Sequence, residues 1–337
     1  MNTENSTKNT EKIETYDFSS GKSLLSLGTA KGIPISEAML LREIQLGETT
    51  REAVLKKLSR SIEIMRTSTT QPLTDPIPSM GGLIGGEAQK VWNGAKSTVP
   101  ASSTGPAPST GQTSAADRAS STSPVPSASP APLCGMTLTK AIAYAMAVLE
   151  INASMGLIVA APTAGSSGVI PGAVLSVCED YGLGDAAVFD GLLNASAIGY
   201  LFMRNASVAG AEAGCQAEVG AASAMAASAI AQLLGGSPQQ CLQAASLALS
   251  NLLGLVCDPI AGLVESPCQT RNAIGVANAF TSAQLALAGV NHPVPFDEMT
   301  EAMYKVGKSL PFELRETALG GNAGTPTGCS LCGSCRH

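Results

Sequence analysis

Gln216-Ala-Glu-Val-Gly-Ala-Ala-Ser-Ala-Met-Ala-Ala-Ser-Ala-Ile-Ala-Gln-Leu-Leu234, followed by Gly235-Gly236-Ser237-Pro238, is the stretch on which the fold turns. Its residues are small and apolar over a length well beyond a strand, without persistent alternation, so it reads as a buried helix. Gly235-Gly236 is a helix stop. Ser237-Pro238 then supplies an N-cap and a first-turn proline for a helix expected to reach Val256 and to end at Asp258-Pro259. Outward from there, residues 269–287, 186–204 and 138–153 show the same pattern between Gly/Pro turns. Upstream, Ile35-Ser36-Glu37 opens a run carrying Ala38, Leu41, Ile44 and Leu46. Thr50 is an N-cap for a second run to Met65, with Val54, Leu55, Leu58 and Ile62 at helical spacing. A Pro/Gly-rich passage follows, from Pro72 to Gly86. The predicted fold class is all-α: one multi-helix domain.

Composition points the same way. Apolar residues make up 45% of the 337, but aromatics only 4%, so the core is built from small side chains that let helix backbones approach. A net charge of −6, with no basic cluster, excludes a nucleic-acid partner. The most apolar windows, residues 217–234 and 242–256, are broken by Ser, Gln, Asn or Gly and fall short of the roughly 20 apolar residues of a membrane span. Core helices are expected there, and no membrane partner. Residues 1–20 are polar and lack a secretory pattern, so a disordered N-terminus and a cytoplasmic location are expected. Residues 97–132 are almost wholly Ser, Thr, Ala, Pro and Gly, with Asp117 and Arg118 the only charges; they read as a flexible insertion within a unit spanning residues 21–328. Residues 329–337 form a Cys-rich tail.

Nine cysteines without a secretory pattern suggest thiols kept reduced or used on metal. Only two histidines, His292 and His337, are present, which excludes most His-based metal sites. Cys215 lies just before the helix at 216, Cys257 at the end of the Ser237 helix, and Cys268 just before the helix at 269. Two readings stand side by side: thiolates on helix ends converging on one inorganic centre, or buried structural thiols. The spacings match no local ferredoxin pattern. Helix N-termini at Cys215 and Cys268 favour the thiolate. Cys134, Cys178 and Cys241 read as ordinary core or loop thiols. The turn Ala161-Pro-Thr-Ala-Gly-Ser-Ser-Gly168 offers N–H groups and two hydroxyls suited to a carboxylate; the plainer reading is a simple turn. It is not a Gly-x-Ser-x-Gly nucleophile elbow.

The run Asn251-Leu-Leu-Gly-Leu-Val-Cys-Asp-Pro-Ile-Ala-Gly-Leu-Val-Glu-Ser-Pro-Cys268, followed by Arg271-Asn272, resembles the signature of the bacterial iron–sulfur L-serine dehydratase α subunit. So do Asn152-Ala-Ser-Met-Gly156, residues 161–168, Ala213-Gly-Cys-Gln-Ala-Glu-Val-Gly220 and Glu316-Thr-Ala-Leu-Gly-Gly321, in order over roughly residues 23–328. The resemblance implies a [4Fe–4S] cluster on Cys215, Cys257 and Cys268, with one iron free of thiolate to act as Lewis acid on the β-hydroxyl of L-serine. It implies an L-serine ammonia-lyase yielding pyruvate and ammonia. Substrate binding is expected at Thr163, Ala164, Gly165, Ser166, Ser167, Gly168, Arg271 and Asn272, with a structural ion pair the alternative for Arg271.

The chain departs from that family in three places. One is the insertion at 97–132. Another is Cys329-Ser-Leu-Cys332-Gly-Ser-Cys335, where Cys329 is a candidate to cap the free iron, the alternatives being a separate metal or an unengaged tail. The third is the absence of the Ser-rich, His-containing domain of single-chain members, which implies a separate β subunit carrying the general base. The rivals are a cysteine desulfidase on the same scaffold, a non-catalytic helical protein with structural thiols and, more remotely, a pyridoxal-phosphate dehydratase, for which no lysine has a convincing setting.

Overall fold

The computed structural model describes residues 15–97 and 132–332. Most of the insertion and of the polar N-terminal stretch, together with Cys335 and His337, therefore lies outside the described residues. Within them the chain starts ordered: Phe18 is buried, and Ser20 forms a capping box with Ser23 that opens α1 (Gly21–Lys31). Then come α2 (Ile35–Leu46) and α3 (Arg51–Thr74), the latter capped by Thr50, whose side chain accepts from the Ala53 N–H. Next are α4 (Glu87–Ser97), α5 (Gly135–Ala153), α6 (Val169–Asp180), α7 (Gly184–Asn205) and the short α8 (Gly210–Ala213). A π-turn at Gln216–Gly220 leads into α9 (Ala221–Leu233), followed by α10 (Pro238–Asn251), α11 (Cys268–Leu287), α12 (Phe296–Ser309) and α13 (Pro326–Leu331). Among the described residues no strand forms, and the one isolated bridge is a parallel pairing of Cys257 with Arg315. The all-α reading is correct.

Three boundaries differ from the sequence expectation. The helix predicted from 216 begins with five residues wound as a π-turn. Helix α3 runs through Pro72 to Thr74; the proline sits in the last turn, where its missing N–H forfeits only one bond, to Ser68. Helix α10 stops at Asn251 rather than Val256. The reason is tertiary: the Gln216 side chain accepts from Gly254 N (2.8 Å), and Gln216 N donates to Leu255 O (2.9 Å). Those bonds divert the backbone out of the helix, with Gly254 at φ +83° making the turn.

At the centre stands α9, packed on α6, α7, α10 and α11. Every residue from 221 to 231 is buried, as expected of a helix apolar on all faces. Alanine serves twice here, as the best helix former and as the side chain that least separates neighbouring backbones. On the far side of α11, α5 packs against α3, α4 and α6, while α2 covers α7. By length and composition α7 is long and apolar enough to cross a membrane, yet it is mostly buried between α9 and α2. It is a core helix.

Candidate active site

The three cysteines singled out by sequence come together from separate elements. Cys215 precedes the π-turn, Cys257 lies in non-helical chain beyond α10, and Cys268 is the first residue of α11. Cys257 is thus not at the end of its helix as the spacing implied. All three are buried. Cys215 and Cys257 share one buried cluster with Val219, and Leu252 and Leu255 pack against it. The neighbouring Cys215 thiol, then burial, then the nearby Glu218 carboxyl hold the Cys257 thiol far above the usual thiol range. Burial, reinforced by Cys215 and Glu218, pushes Cys268 up to about 12, against the pull of Arg271. The expected advantage of a helix N-terminus for the Cys268 thiolate is outweighed by desolvation.

Glu218, which sequence reasoning quoted in a motif but did not pick as a site residue, sits at the heart of this group. On the π-turn, its Oε1 accepts from Thr163 Oγ1 (2.7 Å) and its Oε2 from Cys257 Sγ (3.7 Å). Burial raises its pKa. Residue 210 makes the room: a Cβ there would fall 2.4 Å from Glu218 Oε2 and 3.1 Å from Cys257 Sγ. A second carboxylate, Glu316, raises Glu218, Cys257 and Cys268 by charge alone; it is held in the left-handed region at φ +64°, a conformation that non-glycine residues adopt mostly where the surroundings impose it. A signal for Glu218 was present. Between Glu212 and Glu265 the chain has only two charged residues, Glu218 and Asp258, and both fall here.

The residues expected to bind substrate line the same place. Ala164–Ser166 forms a 3-10 turn after Thr163, and Ser166 and Ser167 are fully buried. Asn272 clamps this turn to the start of α11: its Oδ1 accepts from Gly168 N (3.1 Å), and its Nδ2 donates to Gly165 O (2.8 Å) and Cys268 O (2.9 Å). Two of the N–H groups read as open to a carboxylate are engaged, Gly168 N with Asn272 and Ser167 N with Ala164 O. Arg271 is spent on the chain flanking Cys257, donating to Val256 O (2.8 Å) and pairing with Asp258 Oδ1 (2.7 Å) off the hydrogen-bond axis.

Other candidates stand apart. Cys329 is exposed on α13, which packs on the 3-10 turn Ile260–Gly262, and its thiol donates to Ala323 O (3.5 Å). Cys134 is exposed, whereas Cys178 and Cys241 are buried on α6 and α10. His292 lies in the α11–α12 connection, with its Nδ1 2.9 Å from Val294 O.

Together these contacts define an all-helical protein with a buried centre of three thiols and a carboxylate, walled by a serine-containing turn. The chain belongs to the serine dehydratase alpha chain family, whose model matches residues 30–323. It is 43% identical over 311 residues to the L-serine dehydratase alpha chain of Peptoniphilus asaccharolyticus, covering 92% of this chain and 96% of that one. It is 39% identical over 314 residues to the probable L-serine dehydratase alpha chain of Bacillus subtilis, covering 93% and 94%. The L-serine dehydratase of Streptomyces coelicolor matches at 46% over 183 residues, 53% of this chain but only 40% of that longer protein.

Proposed function

We propose that the chain is the cluster-bearing subunit of an L-serine ammonia-lyase, converting L-serine to pyruvate and ammonia. The observation that carries this is the convergence of buried Cys215, Cys257 and Cys268 beside the Thr163 turn, in a chain matching relatives named L-serine dehydratase alpha chain over almost their whole length.

The donor set suits an iron–sulfur cluster. Cys215, Glu218 and Glu316 all push up the Cys257 and Cys268 thiols, with Arg271 the cation acting against them at Cys268; such a site is stabilised by a cationic core that takes thiolates as ligands. Among the described residues no three His, Cys, Asp or Glu side chains are placed to hold a single metal ion. A cubane makes no such demand, since each thiolate binds a different iron. Cys215, Cys257 and Cys268 would hold it, and an iron without a thiolate would supply Lewis acidity for the departing β-hydroxyl.

The chain's own residues do the rest of the binding. Glu218 orients the Thr163 hydroxyl, Asn272 fixes the turn against Cys268, and the Ala164–Ser166 turn receives the substrate carboxylate. Arg271 steadies the Val256 carbonyl and the Asp258 carboxylate. The α-proton goes to a base on a separate β subunit. Its loss together with the β-hydroxyl leaves aminoacrylate, which tautomerises and hydrolyses in water to pyruvate and ammonia. Names and coverage support the two-chain form: the alpha chains match over 96% and 94% of their length, the longer dehydratase over 40% of its own. Cys329 remains the candidate cap for the free iron, and its position on α13 beside Ile260–Gly262 keeps it next to the Cys257–Cys268 loop.

The test is iron and sulfide content after anaerobic reconstitution, in the wild-type chain and in a Cys215→Ser/Cys257→Ser/Cys268→Ser variant, with pyruvate formation measured beside a β subunit. About four irons per wild-type chain, lost in the variant, is the expected result. No stoichiometric iron in either sinks the reading. Iron kept by the variant moves the cluster to Cys329, Cys332 and Cys335.

A further inference from the structure

The loop between Cys257 and Cys268 carries two of the three cysteines but has little structure of its own, a single 3-10 turn at Ile260–Gly262. Such a loop keeps its shape through what is docked on it. Two carboxylates within it, Asp258 and Glu265, are each only 2% exposed, and each reaches out of the loop to a different part of the chain. Asp258 Oδ2 accepts from Asn322 N (2.6 Å) and Asn322 Nδ2 (2.9 Å), while Oδ1 pairs with Arg271. Glu265 accepts from Ser79 Oγ (2.6 Å), Gly81 N (2.7 Å) and Leu83 N (3.0 Å).

The two docked segments, residues 79–84 and 314–322, come from opposite ends of the chain and share one design. In each the contact closes over a glycine. A Cβ on Gly321 would fall 2.1 Å from Asp258 Oδ2, and one on Gly81 would fall 2.3 Å from Leu263 Cδ1 and 2.8 Å from Glu265 Oε1. Each segment is also tied down by backbone: Cys257 N donates to Leu314 O (2.9 Å), Glu316 N to Cys257 O (2.7 Å), and Met80 N to Ala153 O (2.9 Å). The two carboxylates are engaged by these segments and by Arg271, and the proposed reaction uses neither carboxylate.

We propose that Asp258 and Glu265 are positioning residues, a pair of latches through which residues 314–322 and 79–84 set the spacing of Cys257 and Cys268 and thereby the retention of the cluster. The proposal rests on the cluster reading above. Groups that orient metal ligands through hydrogen bonds typically govern metal affinity by about 10–100-fold, and here the oriented object is the loop bearing two ligands.

The experiment uses the full chain as wild type, Asp258→Asn, Glu265→Gln and Gly321→Ala, the last leaving both carboxylates intact. Backbone hydrogen exchange is read on the cluster-free chain. Iron transfer to a chelator and the visible spectrum are read after anaerobic reconstitution, with thermal melting as the measure of global folding. Asp258→Asn and Gly321→Ala should raise exchange in residues 314–322, and Glu265→Gln in residues 79–84. Each should release iron roughly ten times faster or more with little change in melting. Raised exchange with iron release within twofold of wild type overturns the proposal, as does iron loss that merely follows a fall in melting temperature. Exchange unchanged in every variant removes the latches themselves. A wild-type chain that takes up no iron overturns the cluster reading and the retention claim together. It is distinguishable from a failed latch because exchange is measured without the cluster.

Discussion

Replacing Gly210 with alanine adds one methyl group at the most crowded point of the site. The new Cβ would lie 2.4 Å from Glu218 Oε2 and 3.1 Å from Cys257 Sγ, where ordinary contact begins at 3.4 Å. One partner must therefore move by 1.0 Å, the difference between 3.4 and 2.4. Glu218 cannot retreat freely, because Oε1 holds Thr163 at 2.7 Å. Nor can Cys257, whose backbone is bonded on both sides to Leu314 and Glu316. Overpacking of this kind costs about 1–3 kcal/mol, and alanine in the first turn of α8 returns roughly 0.5–1 kcal/mol. At the middle of the two ranges the net is about 1.3 kcal/mol, which on the cluster reading proposed above corresponds to roughly tenfold weaker cluster retention. The assay is chelator competition for iron on the anaerobically reconstituted chain. Gly94→Ala serves as control, since a Cβ there meets nothing within 4 Å. Wild-type iron affinity in Gly210→Ala would refute the placement of Glu218 and Cys257 around residue 210.

Glu150 is fully buried; its Oε1 accepts from Ala88 N (3.0 Å) and Gln269 Nε2 (2.9 Å), while Oε2 has no partner. Burial raises its pKa, so the folded state binds the proton more tightly and stability falls as pH climbs from the ordinary carboxyl range through the raised value. Glu150→Gln keeps an acceptor for both donors and removes the charge. Its stability relative to wild type, measured by urea unfolding, should therefore be higher at pH 8 than at pH 5, and a difference independent of pH would contradict the burial argument. Ser237 caps α10 in a reciprocal box with Gln240; Ser237→Ala should cost about 1 kcal/mol, seen as a melting point lower by roughly 2–4 °C, and no shift would mean that the box adds nothing.

What could be read beforehand was mostly local. Ser237-Pro238 and Thr50 announced helix starts because capping chemistry acts within three residues, and the structure caps both helices as read. The small-residue run to Leu234 announced a buried helix because composition and length sufficed. The misplaced ends share another cause. Helix α10 stops at Asn251 because Gln216, far away in sequence, captures Gly254 and Leu255, and no window around residue 251 contains that information. Helix α6 went unread because its Gly172 and Pro171 look like turn residues; the proline sits in the first turn of the helix, and a Cβ on residue 172 would lie 2.7 Å from Ala141 O on α5. The cysteines were legible as a set through the family resemblance, and Glu218 was marked only by its isolation as a charge, while the two docked segments became visible only with the tertiary contacts.

The pairing of Cys257 with Arg315 has a consequence for biosynthesis. A ribosome delivers the chain from its N-terminus, so residues 257–268 leave it before residues 314–322 that complete their backbone bonding. A nascent chain paused at α11 or α12 displays its thiols on a loop still missing one of its two covers. On the cluster reading proposed above, loading meets the finished shape of this centre only after translation has passed Asn322, and premature termination in the last helices should yield a chain that is largely helical yet unable to take up iron.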